Sequence, residues 1–177
     1  MLFRSMQNKE VKNPRSEIEN LIAQKQTEEL LHKAAQLHGH YCPGLAMGVI
    51  AAAEAIRLCS EKTDGLEDLL AIVETNNCFA DGIQFVTGCS FGNNGLIFKD
   101  LGKIAVTLVS RNGNGYRLVV KNDAKQHIRK TYEDFSDSYN KVVKQQSRSN
   151  EDIQSFKLSG YKKAVAMMKI DASEVFS

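Results

Sequence analysis

The chain has 177 residues, which is enough for one domain with a small appendage. Its residues are 42% apolar and 25% charged, an ordinary balance for a globular protein. The net charge of +2 and the absence of tryptophan argue against a nucleic-acid-binding surface. No apolar run approaches the roughly 18 residues that a bilayer crossing needs. We therefore expect neither nucleic acid nor a membrane as a partner.

The N-terminal segment carries no apolar leader and no cleavage site. It predicts a mobile arm over residues 1–15 and a cytoplasmic protein. The four cysteines are unevenly spaced and occur without a secretion signal. This usage favours free thiols or metal ligands over disulfides.

Apolar residues at helical spacing predict helices in the segment before residue 38. The first begins at Asn13-Pro14 or at a capping box formed by Ser16 and Glu19. The second apolar stripe continues this helix or starts a new one at Thr27. His32 lies on the polar side of that stripe, so we expect it at the surface.

The densest group of reactive side chains lies in residues 37–58, with the sequence LHGHYCPGLAMGVIAAAEAIRL. His38, His40 and Cys42 alternate, so an extended segment would project all three to one side. Pro43 suits the first turn of a helix, which places Cys42 at or beside the N-cap, where the amides favour a thiolate. Such donors suit zinc or nickel, and they equally suit an activated cysteine nucleophile.

A second group of reactive side chains follows the next predicted strand, over residues 69–75. A short helix after it would carry Cys78, Asp81 and Gln84 on one face, since they are three residues apart. The glycine- and asparagine-rich loop over residues 87–95 contains Cys89 and can approach a ligand with its backbone. Cys59, at the end of the helix after residue 43, is expected to be a core residue.

The remainder of the chain predicts three strands and then helices. The strands cover residues 96–99, 103–110 and 116–121, and an Asn-Gly-Asn-Gly turn joins the last two. Helices are predicted near residues 123–130, 133–147, 150–158 and 160–169. We expect these helices to cover the sheet or to contact another subunit.

Three motifs in this order resemble the FmdE family of formylmethanofuran dehydrogenase subunits: HGHYCPG at 38–44, CFADGIQ at 78–84 and TGCSFGN at 87–93. The resemblance covers about residues 20–125. It implies an α+β core of helix, strand, helix and three strands with a mixed sheet, here over 16–125. Additional C-terminal helices, over 126–177, would pack on that core or on a partner subunit. Members often carry a cysteine-rich zinc finger at the C-terminus, and this chain does not.

The resemblance also implies a homodimer and a cavity lined by cysteine and histidine residues, with zinc as the metal. The candidate ligands in this chain are His38, His40, Cys42, Cys78 and Cys89. Cys42 and Asp81 are the candidate catalytic residues. Asp81 would orient a ligand or act as a general base, or else it is simply an acid favoured in the first turn of a helix.

Three functions are consistent with these residues. The first is a zinc-dependent enzyme or enzyme component of one-carbon metabolism, with an open coordination position for water or substrate. The second is a non-catalytic metal carrier or an accessory subunit of a molybdenum or tungsten enzyme. The third is a thiol enzyme with Cys42 as its nucleophile. Nickel or another divalent transition metal is the alternative to zinc.

Overall fold

A computed structural model describes residues 12–59, 68–111, 113–131 and 133–177. Most of the predicted N-terminal arm, residues 1–11, lies outside these ranges. The first half of the chain contains α1 (Ser16–Ala23), α2 (Thr27–His38), α3 (Pro43–Cys59), β1 (Leu69–Val73) and α4 (Cys78–Thr87). Three strands follow, β2 (Leu96–Phe98), β3 (Ala105–Ser110) and β4 (Gly115–Val119). The predicted α+β class and its order of elements are confirmed.

The C-terminal part is helical, as predicted. It contains α5 (Asn122–Thr131), α6 (Glu133–Tyr139), a π-helical turn (Asn140–Lys144), α7 (Asn150–Met167) and α8 (Ala172–Val175). In the described ranges, no helix combines the length and the apolar character that a membrane crossing requires.

The four strands form one mixed sheet in the order β2-β1-β3-β4. β1 and β2 are parallel, and α4 makes the crossover that a parallel pair requires. The remaining pairs are antiparallel, with Val106 opposite Leu118 and Leu108 opposite Tyr116 as the alternation predicts. The implied mixed sheet is therefore confirmed.

Helix α3 lies at the centre of the molecule, since its small residues are buried along with its large ones. It crosses α4 where Gly48 meets the carbonyl oxygen of Phe79 and where Gly82 meets the backbone of Val49. A Cβ on Gly48 would collide with that oxygen, and one on Gly82 would lie 2.7 Å from the Val49 nitrogen. The two helices thus touch backbone to backbone, which brings their N-terminal ends together.

The N-terminal residues before α1 contact α4. The guanidinium Nη2 of Arg15 donates hydrogen bonds to the carbonyl oxygens of Phe85 (3.0 Å) and Val86 (2.7 Å), in the last turn of α4. The predicted capping box is not formed, because Arg15 is the N-cap residue and provides no side-chain cap. Asn13 instead donates to the carboxylate of Glu19 at 3.1 Å.

Helix α7 is continuous from residue 150 to 167, so the predicted division near residue 159 is wrong. A Cβ on Gly160 would lie 2.6 Å from the carbonyl oxygen of Tyr41, and glycine therefore permits close contact at this point. The helix packs mainly against α3 and α6. Its position places it beside the loop that precedes α3.

Candidate metal centre

Four of the predicted ligands meet at the ends of three helices. His38 ends α2, His40 lies in the following loop, Cys42 precedes α3, and Cys78 begins α4. One donor atom from each residue lies within 4.8 Å of those of the other three. Residues from two separate parts of the sequence thus converge on one point.

The first three of these side chains are positioned by the turn between α2 and α3. Gly39 adopts a left-handed conformation (φ +87°) that ends α2 and reverses the chain. The rings of His38 and His40 then lie 4.3 Å apart between centroids. The amide of Leu45 donates to the Sγ atom of Cys42 at 3.4 Å, so this thiol lies at the N-terminus of α3 as predicted.

The fourth ligand is positioned by the start of α4. The side-chain oxygen of Asn77 accepts a hydrogen bond from the amide of Phe79 at 3.0 Å, which caps the helix and makes Cys78 its first residue. A Cβ on Gly44 would lie 2.9 Å from the Cβ of Cys78. The first turn of α3 is therefore in contact with the first residue of α4.

Asp81 fixes the orientation of one imidazole ring. Nδ1 of His38 lies 2.7 Å from Oδ2 of Asp81, and Nε2 lies 3.6 Å from Sγ of Cys42. Because a carboxylate can only accept, Nδ1 carries the proton of the neutral ring and Nε2 presents its lone pair towards the thiols. A carboxylate behind a ligating histidine is the usual partner that holds such a ring.

The donor set fits a tetrahedral divalent ion. Zinc bonds to sulfur at about 2.3 Å and to imidazole nitrogen at about 2.0–2.1 Å, so a tetrahedral site separates the two donors by about 3.6 Å. The distance between Sγ of Cys42 and Nε2 of His38 is 3.6 Å. Two sulfurs and two nitrogens form a known zinc-binding set. These residues could therefore hold a metal ion with little rearrangement.

The two thiols differ in how readily each loses its proton. A hydrogen bond between them, with Cys42 as the donor, raises the pKa of Cys42 and lowers that of Cys78. Burial raises the pKa of Cys42 further, and the amide of Leu45 opposes these two effects only weakly. Thiolate character therefore resides on Cys78, whereas the sequence favoured it on Cys42.

The pKa of His40 is lowered, first by burial and then by the neighbouring His38. The lower pKa keeps this ring neutral over more of the pH range, and neutral imidazole is the form that binds metals.

Cys89 does not join the other four candidate ligands. It follows the C-terminus of α4, whereas Cys78 begins that helix, and ten helical residues span about 15 Å. Its Sγ atom donates to the carbonyl oxygen of Leu69 at 3.5 Å, and the side chain is buried. Burial also raises the pKa of this thiol.

Two features beside the site were missed by the sequence reasoning. His32 is half-buried and not on the surface, because its Nδ1 lies 2.9 Å from the hydroxyl of Tyr41 and its ring stacks on Tyr161 of α7. Phe156, also on α7, lies with its ring 5.9 Å from that of His40. Both contacts join parts of the chain that are distant in sequence, so no local pattern signals them.

Residues 37–177 match a family model described as FmdE, molybdenum formylmethanofuran dehydrogenase operon. A "probable S-adenosyl-L-methionine-binding protein" of Archaeoglobus fulgidus is 40% identical over 135 residues, which make up 73% of this chain and 36% of that protein. This chain thus spans about a third of the length of that relative.

A crystal structure of a tungsten formylmethanofuran dehydrogenase FmdE-like protein from Syntrophus aciditrophicus is 25% identical, with a TM-score of 0.49. That match covers 76% of this chain and 66% of the other. The family model extends over well more than half of this chain and includes all the ligands of the cluster as well as the C-terminal helices. The chain belongs to the FmdE family.

Proposed function

We propose that this protein binds one zinc ion through Cys42, Cys78, His38 and His40. We further propose that it serves as a metal-binding accessory or carrier protein in one-carbon metabolism that depends on molybdenum or tungsten enzymes. The observation that carries the zinc site is the convergence of four suitable donor atoms within 4.8 Å. The family's link to a molybdenum formylmethanofuran dehydrogenase operon supports the metabolic setting.

The number of donors favours the accessory role over catalysis. Structural zinc sites use four protein ligands, whereas catalytic sites use three and keep one position for water or substrate. An enzyme using Cys42 or Asp81 on a substrate would need one of the four donors to stay unbound. His40, which lies in a loop, is the donor whose removal separates these alternatives. A closed site predicts much weaker zinc binding by His40→Ala, whereas an open catalytic site predicts zinc binding at the wild-type level.

Metal analysis of serine variants tests the zinc site directly. Wild-type protein purified without an affinity tag is expected to contain about one zinc per chain, and Cys42→Ser or Cys78→Ser less than about a tenth of that, because each loses a thiolate ligand. Cys59→Ser and Cys89→Ser are matched controls, since both residues are buried and bonded to backbone carbonyls elsewhere. These two variants are expected to retain the ion.

Two results of this metal analysis would contradict the proposal. One is wild-type protein that contains no metal and takes up no added zinc. The other is a Cys89→Ser variant that folds normally, as judged by circular dichroism, and yet loses as much zinc as Cys42→Ser.

Asp81→Ala is expected to weaken zinc binding by about 10- to 100-fold, because the carboxylate no longer holds the ring of His38. Asp81→Asn keeps a hydrogen-bond acceptor and should lose less. Competition with a chromogenic chelator measures both affinities, and Asp68→Ala, whose carboxylate pairs with the exposed Arg111, is the control. Wild-type affinity in Asp81→Ala would show that Asp81 does not position the ligand.

A further inference from the structure

Cys42 and Cys78 are neighbours that differ in accessibility. Their thiols are close enough to share a hydrogen bond, and the first turn of α3 touches the Cβ of Cys78 through Gly44. Cys42 is 4% exposed, whereas Cys78 is only partly buried. An oxidant from solvent thus reaches one member of the pair and finds the second thiol directly behind it.

We propose that Cys42 and Cys78 form a reversible disulfide with each other, so that the pair is a two-electron redox site as well as a metal site. Hydroperoxides are the class of oxidant that fits. Its consequence for the metal rests on the zinc function proposed above, whereas formation of the disulfide itself does not.

The chemistry needs two thiols and one hydroperoxide. The thiolate of Cys78 attacks the peroxide, the O–O bond breaks, and Cys78 becomes a sulfenic acid while an alcohol or water leaves. The sulfur of Cys42 then attacks the sulfenic sulfur, the S–S bond forms, and the hydroxide that leaves takes up the proton of Cys42 to become water. Two electrons pass from the pair of sulfurs to the peroxide.

The other two cysteines are too distant to compete. Cys59 ends α3, and its 17 residues place Cys59 about 25 Å from the N-terminus at which Cys42 lies. Cys89 lies at the far end of α4 from Cys78, about 15 Å away. Each of the two is buried and bonded to a backbone carbonyl oxygen. The geometry therefore selects one pair among the four cysteines.

Disulfide formation and metal binding exclude one another at this site. Zinc binds cysteine as the thiolate, and a disulfide offers no thiolate. Oxidation would leave only the imidazoles of His38 and His40 as ligands from the cluster. The oxidised protein is therefore expected to release its ion, and reduction by a dithiol should restore binding.

Hydrogen peroxide added to chelator-treated protein, followed by mass spectrometry, tests the disulfide without reference to zinc. The intact chain should lose two hydrogens, and trypsin should yield a cross-link between residues 34–57 and 63–99. Because the second peptide also contains Cys89, the assignment is made in Cys89→Ser protein. The cross-link should persist in Cys89→Ser and Cys59→Ser and be absent from Cys42→Ser and Cys78→Ser.

A second arm oxidises the zinc-loaded protein and follows metal release with a chromogenic chelator, expecting release in step with the cross-link and recovery after dithiothreitol. Oxidation that yields only sulfinic acid, only links between chains, or a link from Cys42 to Cys89 would overturn the proposal. Zinc that stays bound to cross-linked protein would overturn its metal part. If the protein never takes up zinc, the zinc function fails while the cross-link in the first arm still decides the disulfide.

Discussion

Gly48→Ala is expected to destabilise the protein by about 3 kcal/mol, the range for overpacking in a closely packed core. The added methyl group would meet the carbonyl oxygen of Phe79, a backbone atom of α4 that can move only with its helix. In an exposed helix the same change would stabilise by up to about 1 kcal/mol, because alanine is the better helix former. The sign of the effect therefore reports on the contact between α3 and α4.

Thermal unfolding measures this effect, and a loss of about 3 kcal/mol corresponds to roughly 6–12 °C in Tm for a chain of this size. Gly92→Ala is the matched control, since the nearest atom to its Cβ would be 3.8 Å away. We expect little change in that variant. A Gly48→Ala protein at least as stable as wild type would mean that the two helices do not cross in backbone contact.

Zinc affinity is expected to fall by about 10- to 100-fold for each unit of pH between about pH 8 and pH 6, because the ion displaces thiol protons. The raised pKa of Cys42 means that its proton must be displaced over this whole interval, which alone gives a change of about tenfold per unit. The lowered pKa of Cys78 delays its contribution to the acidic end. The dependence should thus steepen as the pH falls.

Chelator competition at a series of pH values gives this profile, with the affinity of the chelator corrected for its own protonation. Cys59→Ser should reproduce the wild-type curve, since its thiol lies outside the cluster. An affinity that is constant over the interval would mean that no thiol proton is displaced. A ligand set without cysteine would then be required.

The parts of the site that sequence could predict are those determined locally. Pro43 fixes the start of α3, and therefore the position of Cys42 relative to that helix. The alternation of His38 and His40 with Cys42 indicated one shared site, and the structure brings their donor atoms together. Strand alternation likewise predicted the register of β3 and β4.

The parts that sequence could not predict depend on contacts between distant segments. His32 reads as a surface residue until α7 brings Tyr161 against it. Gly160 reads as a helix break until the close approach to Tyr41 gives it a packing role. The sequence around Cys89 does not reveal the direction of its side chain, and the length of α4 is what separates it from Cys78.

The crossing of α3 and α4 also has a consequence for the order in which the chain folds. His38, His40 and Cys42 belong to the α2–α3 hairpin, whereas Cys78 and Asp81 belong to the unit formed by β1, α4 and β2. Neither unit contains the complete cluster, and on the ribosome the second unit emerges after the first. The cluster is therefore complete only once the two units have docked, late in folding, and a nascent chain interrupted before residue 78 cannot assemble it.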